Sequence, residues 1–81
     1  MLGQFYFVCL DEVKHSTKCG KFSNITIREV NENGELKAGT KKYPIFGNEI
    51  CDKFSRLKEN SYIEMEYESK EIYISDVKQY D

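Results

Sequence analysis

The 81-residue chain has no tryptophan, one proline and no excess of basic residues, since its formal net charge is −2 at pH 7. A bulk polycation that coats nucleic acid by charge alone is therefore excluded. No apolar run approaches the ~20 residues that a transmembrane helix needs, so we expect no membrane association. Residues 2–10 are apolar but lack a basic leader and a small-residue cleavage site, so we do not expect a secretory signal.

The cysteines are few and unpatterned. Cys9, Cys19 and Cys51 are odd in number, and no two have the C-x-x-C spacing of a zinc knuckle. His15 and Cys19 alone cannot close a tetrahedral metal site. The sequence also lacks a phosphate loop and a nucleophile elbow. We therefore expect a reduced, cytoplasmic protein with no metal, no cofactor and no enzymatic activity.

The residues that are present indicate one folded domain over 1–81, because 40% of them are hydrophobic and 32% are charged. Alternation, turn residues and one helical stripe predict the order of elements. They predict a strand at 2–10, a basic loop or extended hairpin tip at 11–21, a strand at 22–30 and an Asn-Gly turn at 31–34. A third strand follows, with 35–37 as its candidate start, an interruption at Gly39 and a continuation over 41–46. A helix at 48–58 and a hairpin of 61–68 with 71–75, which continues into 76–81, complete the order.

Side-chain patterns assign faces to these elements. In the first strand, Phe5, Phe7 and Cys9 alternate with Tyr6, Val8 and Leu10, and both faces are apolar. Pro44 cannot donate to a ladder, which predicts an edge or a bulge in the third strand. Asn48 is the predicted N-cap of the helix. The predicted core comprises Phe5, Phe7, Ile25, Ile27, Ile50, Phe54, Leu57, Ile63, Met65, Tyr67, Ile72 and Ile74.

Five strands with one helix between the third and the fourth is the element order of the OB-fold, a small, partly open barrel. We therefore predict a mainly β protein with one helix, folded as a five-stranded OB-fold-like barrel. A different α+β sheet, such as an SH3-like barrel with an added helix, is the alternative fold.

A resemblance supports the OB-fold prediction. The step Gly20-Lys21-Phe22 into a strand, followed by Asn33-Gly34, resembles the second-strand region of small single-stranded-DNA-binding proteins. Tyr43-Pro44-Ile45 and the hairpin of 61–80 are loosely similar to the filamentous-phage gene V type. The resemblance implies a phage or mobile-element protein that acts in DNA replication. The helix at 48–58 and the acidic hairpin depart from this pattern.

The distribution of charge indicates where nucleic acid would bind. Residues 1–42 carry seven basic and five acidic side chains, whereas residues 43–81 carry five basic and nine acidic ones. Single-strand binders combine a basic groove with exposed aromatic rings. We expect binding of single-stranded nucleic acid, and DNA in particular, with low sequence specificity. The candidate contacts are Lys14, Lys18, Lys21, Phe22, Arg28, Lys41, Lys42, Tyr43 and Tyr73.

Because basic residues exceed acidic ones by only two in residues 1–42, we expect one domain to bind nucleic acid weakly. A homodimer or a cooperative oligomer is therefore predicted. Val8 and Leu10, or an open strand edge, would form the contact between the copies. The alternative function is a protein-interaction module, either a subunit of a larger complex or a small inhibitor. The inhibitor would use an acidic row as a mimic of phosphates: Glu64, Glu66, Glu68 and Glu71. A solvated outer face that blocks edge pairing explains the same row without any partner.

Overall fold

The computed structural model describes residues 1–18, 20–70 and 73–80. Within these ranges the chain forms β1 (Leu2–Leu10), β2 (Lys14–Ser16), β3 (Gly20–Glu29), β4 (Lys41–Phe46), α1 (Asn48–Ser55), β5 (Ser61–Glu68) and β6 (Tyr73–Gln79). A mainly β chain with one helix is confirmed for the described residues. The sixth strand is β2, which forms because the predicted basic segment folds back onto β3 as a hairpin.

The strands form one antiparallel sheet in which β1 is central. Hydrogen-bonded ladders join the strands in the order β4–β3–β1–β5–β6. The short β2 pairs with the beginning of β3 and so lies along the same edge of β3 as β1. The outermost strands β4 and β6 contact each other, but no ladder joins them in the described part of the chain.

A β-bulge in β1 corrects the predicted faces of this strand. Phe7 pairs with Ile27, but the register then shifts, so that Cys9 pairs with Thr26 and Leu10 with Ile25. Because one extra residue reverses the alternation, Leu10 packs against the core and Cys9 turns to the opposite face. Leu10 is therefore not the outward apolar contact that alternation predicted.

The chain between β3 and β4 follows the predicted Asn-Gly turn. Gly34 has a φ of 81°, and its N–H donates to the carbonyl of Asn31 at 3.0 Å. β4 then pairs with β3, with Pro44 opposite Asn24. On its other side β4 has no ladder partner among the described residues. The predicted edge position of Pro44 is confirmed.

Helix α1 differs from its prediction at both ends. Its N-cap is Gly47 rather than Asn48, because Asn48 Oδ1 instead accepts a hydrogen bond from the backbone N–H of Lys21 at 2.9 Å. The helix ends at Ser55, three residues early. The N–H groups of Arg56 and Leu57 bond to carbonyls three residues back, which tightens the last turn.

The core lies between the sheet and α1. The predicted members are buried except for Phe5, Leu57 and Tyr67, which are half-buried against the others, and Ile72, which lies outside the described residues. Alternation had not placed two further buried side chains, Ile45 and Val77, in the predicted core. Cys51 is buried as well. No helix within the described ranges has the length and apolar character needed to cross a membrane.

Candidate nucleic-acid interface

The candidate site is the face of β3 and β4 that points away from the core, which we call the outer face. Residues directly opposite each other on antiparallel strands share a face. Ile25 and Ile27 are fully buried, so the residues next to them in β3 point to the opposite, outward face. The β4 residues that pair with those outward residues share the same face. The outer face consists of Phe22, Asn24, Thr26 and Arg28 from β3 and of Lys42, Pro44 and Phe46 from β4.

Two phenylalanines lie side by side on this face. Phe22 and Phe46 are direct cross-strand partners, a relation that sets their Cβ atoms about 5 Å apart. Phe46 is 45% exposed and Phe22 is half-buried. On the other edge of β3, Lys14 of β2 is the cross-strand partner of Phe22. The result is a row of one lysine and two rings, which we call the phenylalanine patch.

Phe46 was not among the predicted contacts, although its position could have been found. Strand alternation places Lys42, Pro44 and Phe46 on one side of β4. Tyr43 is on the other side, opposite Ile25, and is half-buried against the core. Tyr43 was predicted as a contact because it follows two lysines in the sequence. The alternation of side chains along β4 instead exposes Phe46 and turns Tyr43 towards the core.

Tyr73 is on the strand at the opposite edge of the sheet, yet it lies near the phenylalanine patch. It is 50% exposed at the beginning of β6. Tyr73 and Phe46 together line an open cleft of about 300 Å³ at the first residues of α1, 47–50. The cleft lies where β4 and β6 approach each other. The predicted contact Tyr73 is therefore adjacent to Phe46 rather than isolated on the hairpin.

Three of the predicted basic contacts are engaged by carboxylates. Lys21 Nζ is 2.8 Å from Asp52 Oδ1, and Lys42 Nζ is 3.2 Å from Asp11 Oδ2. Lys41 pairs with Glu29. The hydrogen bond from Lys41 lowers the pKa of Glu29, and the same bond raises the pKa of Lys41. These lysines contribute less positive charge than their number suggests.

The other three basic contacts form no ion pair with any residue in the described ranges. Lys14 and Lys18 are exposed in the β2–β3 hairpin. Arg28 is half-buried, and its Nε and Nη2 donate to the carbonyl of Lys37 at 3.1 and 2.9 Å. A neutral carbonyl leaves the guanidinium charge uncompensated. Among the predicted contacts, Lys14, Lys18 and Arg28 are therefore the cations that no carboxylate of the described ranges engages.

Glu64, Glu66 and Glu68 of the acidic row are on the outward side of β5, as the alternation of Ile63 and Met65 predicted. Glu64 accepts a hydrogen bond from the hydroxyl of Tyr80 at 2.7 Å and is 3.6 Å from Lys78 Nζ. Glu66 is 3.3 Å from the N-terminal ammonium group. Glu71 lies outside the described residues. Two carboxylates of this row are thus partly neutralised within the molecule.

The outer face thus carries the exposed ring of Phe46 beside the half-buried ring of Phe22, with exposed lysines of the β2–β3 hairpin at its rim. Within 1–18, 20–70 and 73–80, no group of three or more His, Cys, Asp and Glu side chains could hold a metal ion. Comparison with known proteins found no matching family model, no matching curated protein and no matching solved structure.

Proposed function

We propose that this protein binds single-stranded nucleic acid, and DNA in particular, with low sequence specificity through the outer face of β3 and β4. The observation that carries the proposal is the phenylalanine patch, in which Phe22 and Phe46 are neighbours and the unpaired Lys14 flanks them. Stacking of a base on an aromatic ring contributes about 1–3 kcal/mol and tolerates every base, because each base has a π-face.

The sheet topology supports an OB-fold-like barrel as the framework of this site. OB-folds are partly open five-stranded barrels that bind oligonucleotides on the face of their second and third strands. If β2 is counted as an extension of the β1 position, β3 and β4 are the second and third strands. The contact between β4 and β6 without a ladder is consistent with a barrel that is open along this seam.

Titration of a fluorescently labelled oligothymidine at several salt concentrations tests this proposal. Three free cations predict a log–log slope of about −2, from roughly −0.7 per neutralised phosphate on a single strand. Lys14→Gln should make the slope shallower by about 0.7. Lys70→Gln, which removes an exposed lysine in the β5–β6 turn, is the matched control and should leave the slope unchanged.

Phe46→Ala tests the stacking contact. Loss of one stacked base should weaken binding about 5- to 150-fold, from the ~1–3 kcal/mol of stacking. Leu2→Ala is the control, since Leu2 is 65% exposed at the other end of the sheet and should not affect affinity. Absence of oligonucleotide binding at low salt would refute the proposed function. A protein partner for the acidic row would then be the hypothesis to test by Glu68→Lys.

We propose further that binding involves a dimer or cooperative association, because three free cations hold one domain only weakly on a strand. With Leu10 turned into the core, the half-buried Val8 and the open edge of β4 are the remaining predicted contacts. Sedimentation velocity with a 30-nucleotide oligothymidine should show several chains bound together at stoichiometric mixing. Single, independent binding at all ratios would contradict the cooperative model.

A further inference from the structure

A second line of flat side chains crosses the same side of the sheet, away from the phenylalanine patch. Arg28 on β3 pairs with Tyr6 on β1, and Tyr6 pairs with Tyr62 on β5. The N–H of Tyr80, just after β6, donates to the carbonyl of Tyr62 at 3.0 Å and so extends the line. We call these four residues the tyrosine row.

We propose that the tyrosine row is a second base-stacking surface for the same single strand, an inference that rests on the proposed function. The row crosses three inter-strand gaps of about 4.8 Å, so it is about 14 Å long. Aromatic residues on adjacent strands of an exposed sheet can stack two or three bases of a single strand. Tyr62 and Tyr80 are 37% and 39% exposed, which leaves ring surface for such contacts.

The members of the row are held in place before any ligand arrives. The rings of Tyr6 and Tyr62 pack edge to face, with centroids 5.2 Å apart and planes at 79°. Arg28 is fixed by its two bonds to the carbonyl of Lys37, and Tyr80 by its hydroxyl bond to Glu64. Ordered side chains lose little conformational entropy on binding, so each base contact retains more of its energy.

The neighbours of the row favour bases over a protein partner. Beside Tyr6 and Tyr62 the same face carries the polar Gln4 and the ion pair of Glu64 with Lys78, in which the negative charge of Glu64 is compensated. The centre of a protein interface is instead depleted of charged residues. Arg28 at one end of the row supplies a cation without a carboxylate partner in the described ranges, and its planar group can stack on a base as well.

The two surfaces together predict how affinity depends on ligand length. Phe22 and Arg28 are six residues apart on β3, which corresponds to about 20 Å. An oligonucleotide of four nucleotides engages one surface, whereas one of twelve spans both. We therefore expect a steep gain in affinity between these lengths, larger than the statistical gain from extra binding positions.

The test compares the affinities for oligothymidines of four and twelve nucleotides in wild type, Tyr62→Leu and Tyr80→Leu. Each variant should lose at least fivefold affinity for the twelve-mer, equivalent to about 1 kcal/mol of stacking. Affinity for the four-mer should at most be halved. Leu2→Ala is the control, because Leu2 is 65% exposed, belongs to neither surface and should leave the ratio of the two affinities unchanged.

The outcomes separate this inference from the function on which it rests. If the wild type binds neither oligonucleotide, the proposed function fails. If it binds both, and the ratio is the same in Tyr62→Leu and Tyr80→Leu, the tyrosine row is not a binding surface although the function stands. If the variants change the sedimentation coefficient of the protein but not the ratio of the two affinities, the row is a contact between copies of the chain, and the inference is overturned. Circular dichroism melts confirm that each variant is folded.

Discussion

Gly20 lies at the start of β3, next to the hydrogen bonds that join this strand to the start of α1. Its φ is +75°, and a Cβ built there would lie 2.6 Å from Asn48 Oδ1. That oxygen accepts the N–H of Lys21, and the carbonyl of Lys21 accepts the N–H of Gly47. Glycine thus favours the left-handed conformation and leaves room for the side chain of Asn48, which any Cβ at this position would displace.

Replacement of Gly20 by alanine should therefore cost more than strain alone. We expect a loss of about 1–2 kcal/mol from the positive φ, with a further loss because Asn48 must move away. Gly39→Ala is the matched control, since Gly39 has a φ of +83° but nothing within 4 Å of its Cβ position. Urea denaturation measures both variants, and equal losses would show that the contact with Asn48 contributes nothing.

At the scale of elements, α1 is held to the sheet by apolar packing and by ion pairs at its rim. Phe54 is buried with its ring centroid 5.6 Å from that of Phe7 on β1. Lys53 Nζ is 2.6 Å from Asp76 Oδ1 on β6, and Asp52 binds Lys21 on β3. Exposed ion pairs of this kind contribute little, so the packed rings dominate the attachment of the helix.

Phe54→Ala should destabilise the fold by about 3–5 kcal/mol, because it leaves a cavity between α1 and the sheet. Phe46→Ala removes the same side chain from the exposed outer face and should change stability by less than about 1 kcal/mol. Both values come from urea denaturation. Comparable losses would mean that Phe46 is a structural residue, and its effect on oligonucleotide binding would then have to be attributed to unfolding.

The whole molecule carries a pattern of ion pairs that links stability to pH. Hydrogen bonds from Lys41, Lys21 and Lys53 lower the pKa values of Glu29, Asp52 and Asp76, whose ordinary values are 4.5, 3.8 and 3.8. A carboxyl group with a lowered pKa in the folded state stabilises the protein above its unfolded pKa. That contribution is lost as the pH falls through the folded value.

The melting temperature should therefore stay nearly constant from pH 7 to about pH 5 and fall as the pH decreases below about 4. Since Asp76 is exposed and Glu29 and Asp52 are only half-buried, the fall should be gradual, and high salt should reduce it. Thermal melts in matched buffers measure how the melting temperature depends on pH. Asp76→Asn should flatten part of the curve, and a melting temperature that rises on acidification would contradict the assignment of these pairs.

Local sequence patterns determined much of this protein. Period-two alternation predicts β1, β3, β5 and β6 because successive strand residues face opposite sides, and Asn-Gly predicts the turn before β4. The same alternation places Phe22 outward and Ile25 and Ile27 in the core. These features depend on residues close together in the chain, and a single sequence is enough to predict them.

Tertiary structure decided what depends on residues far apart in the chain. The bulge that turns Leu10 inward arises from pairing with β3, and the carboxylates that bind Lys21 and Lys42 are each 31 residues away. The line from Arg28 through Tyr6 and Tyr62 to Tyr80 requires the registers of four strands. Cross-strand register is set by packing and hydrogen bonding of the whole sheet, so no local pattern could have assembled this row.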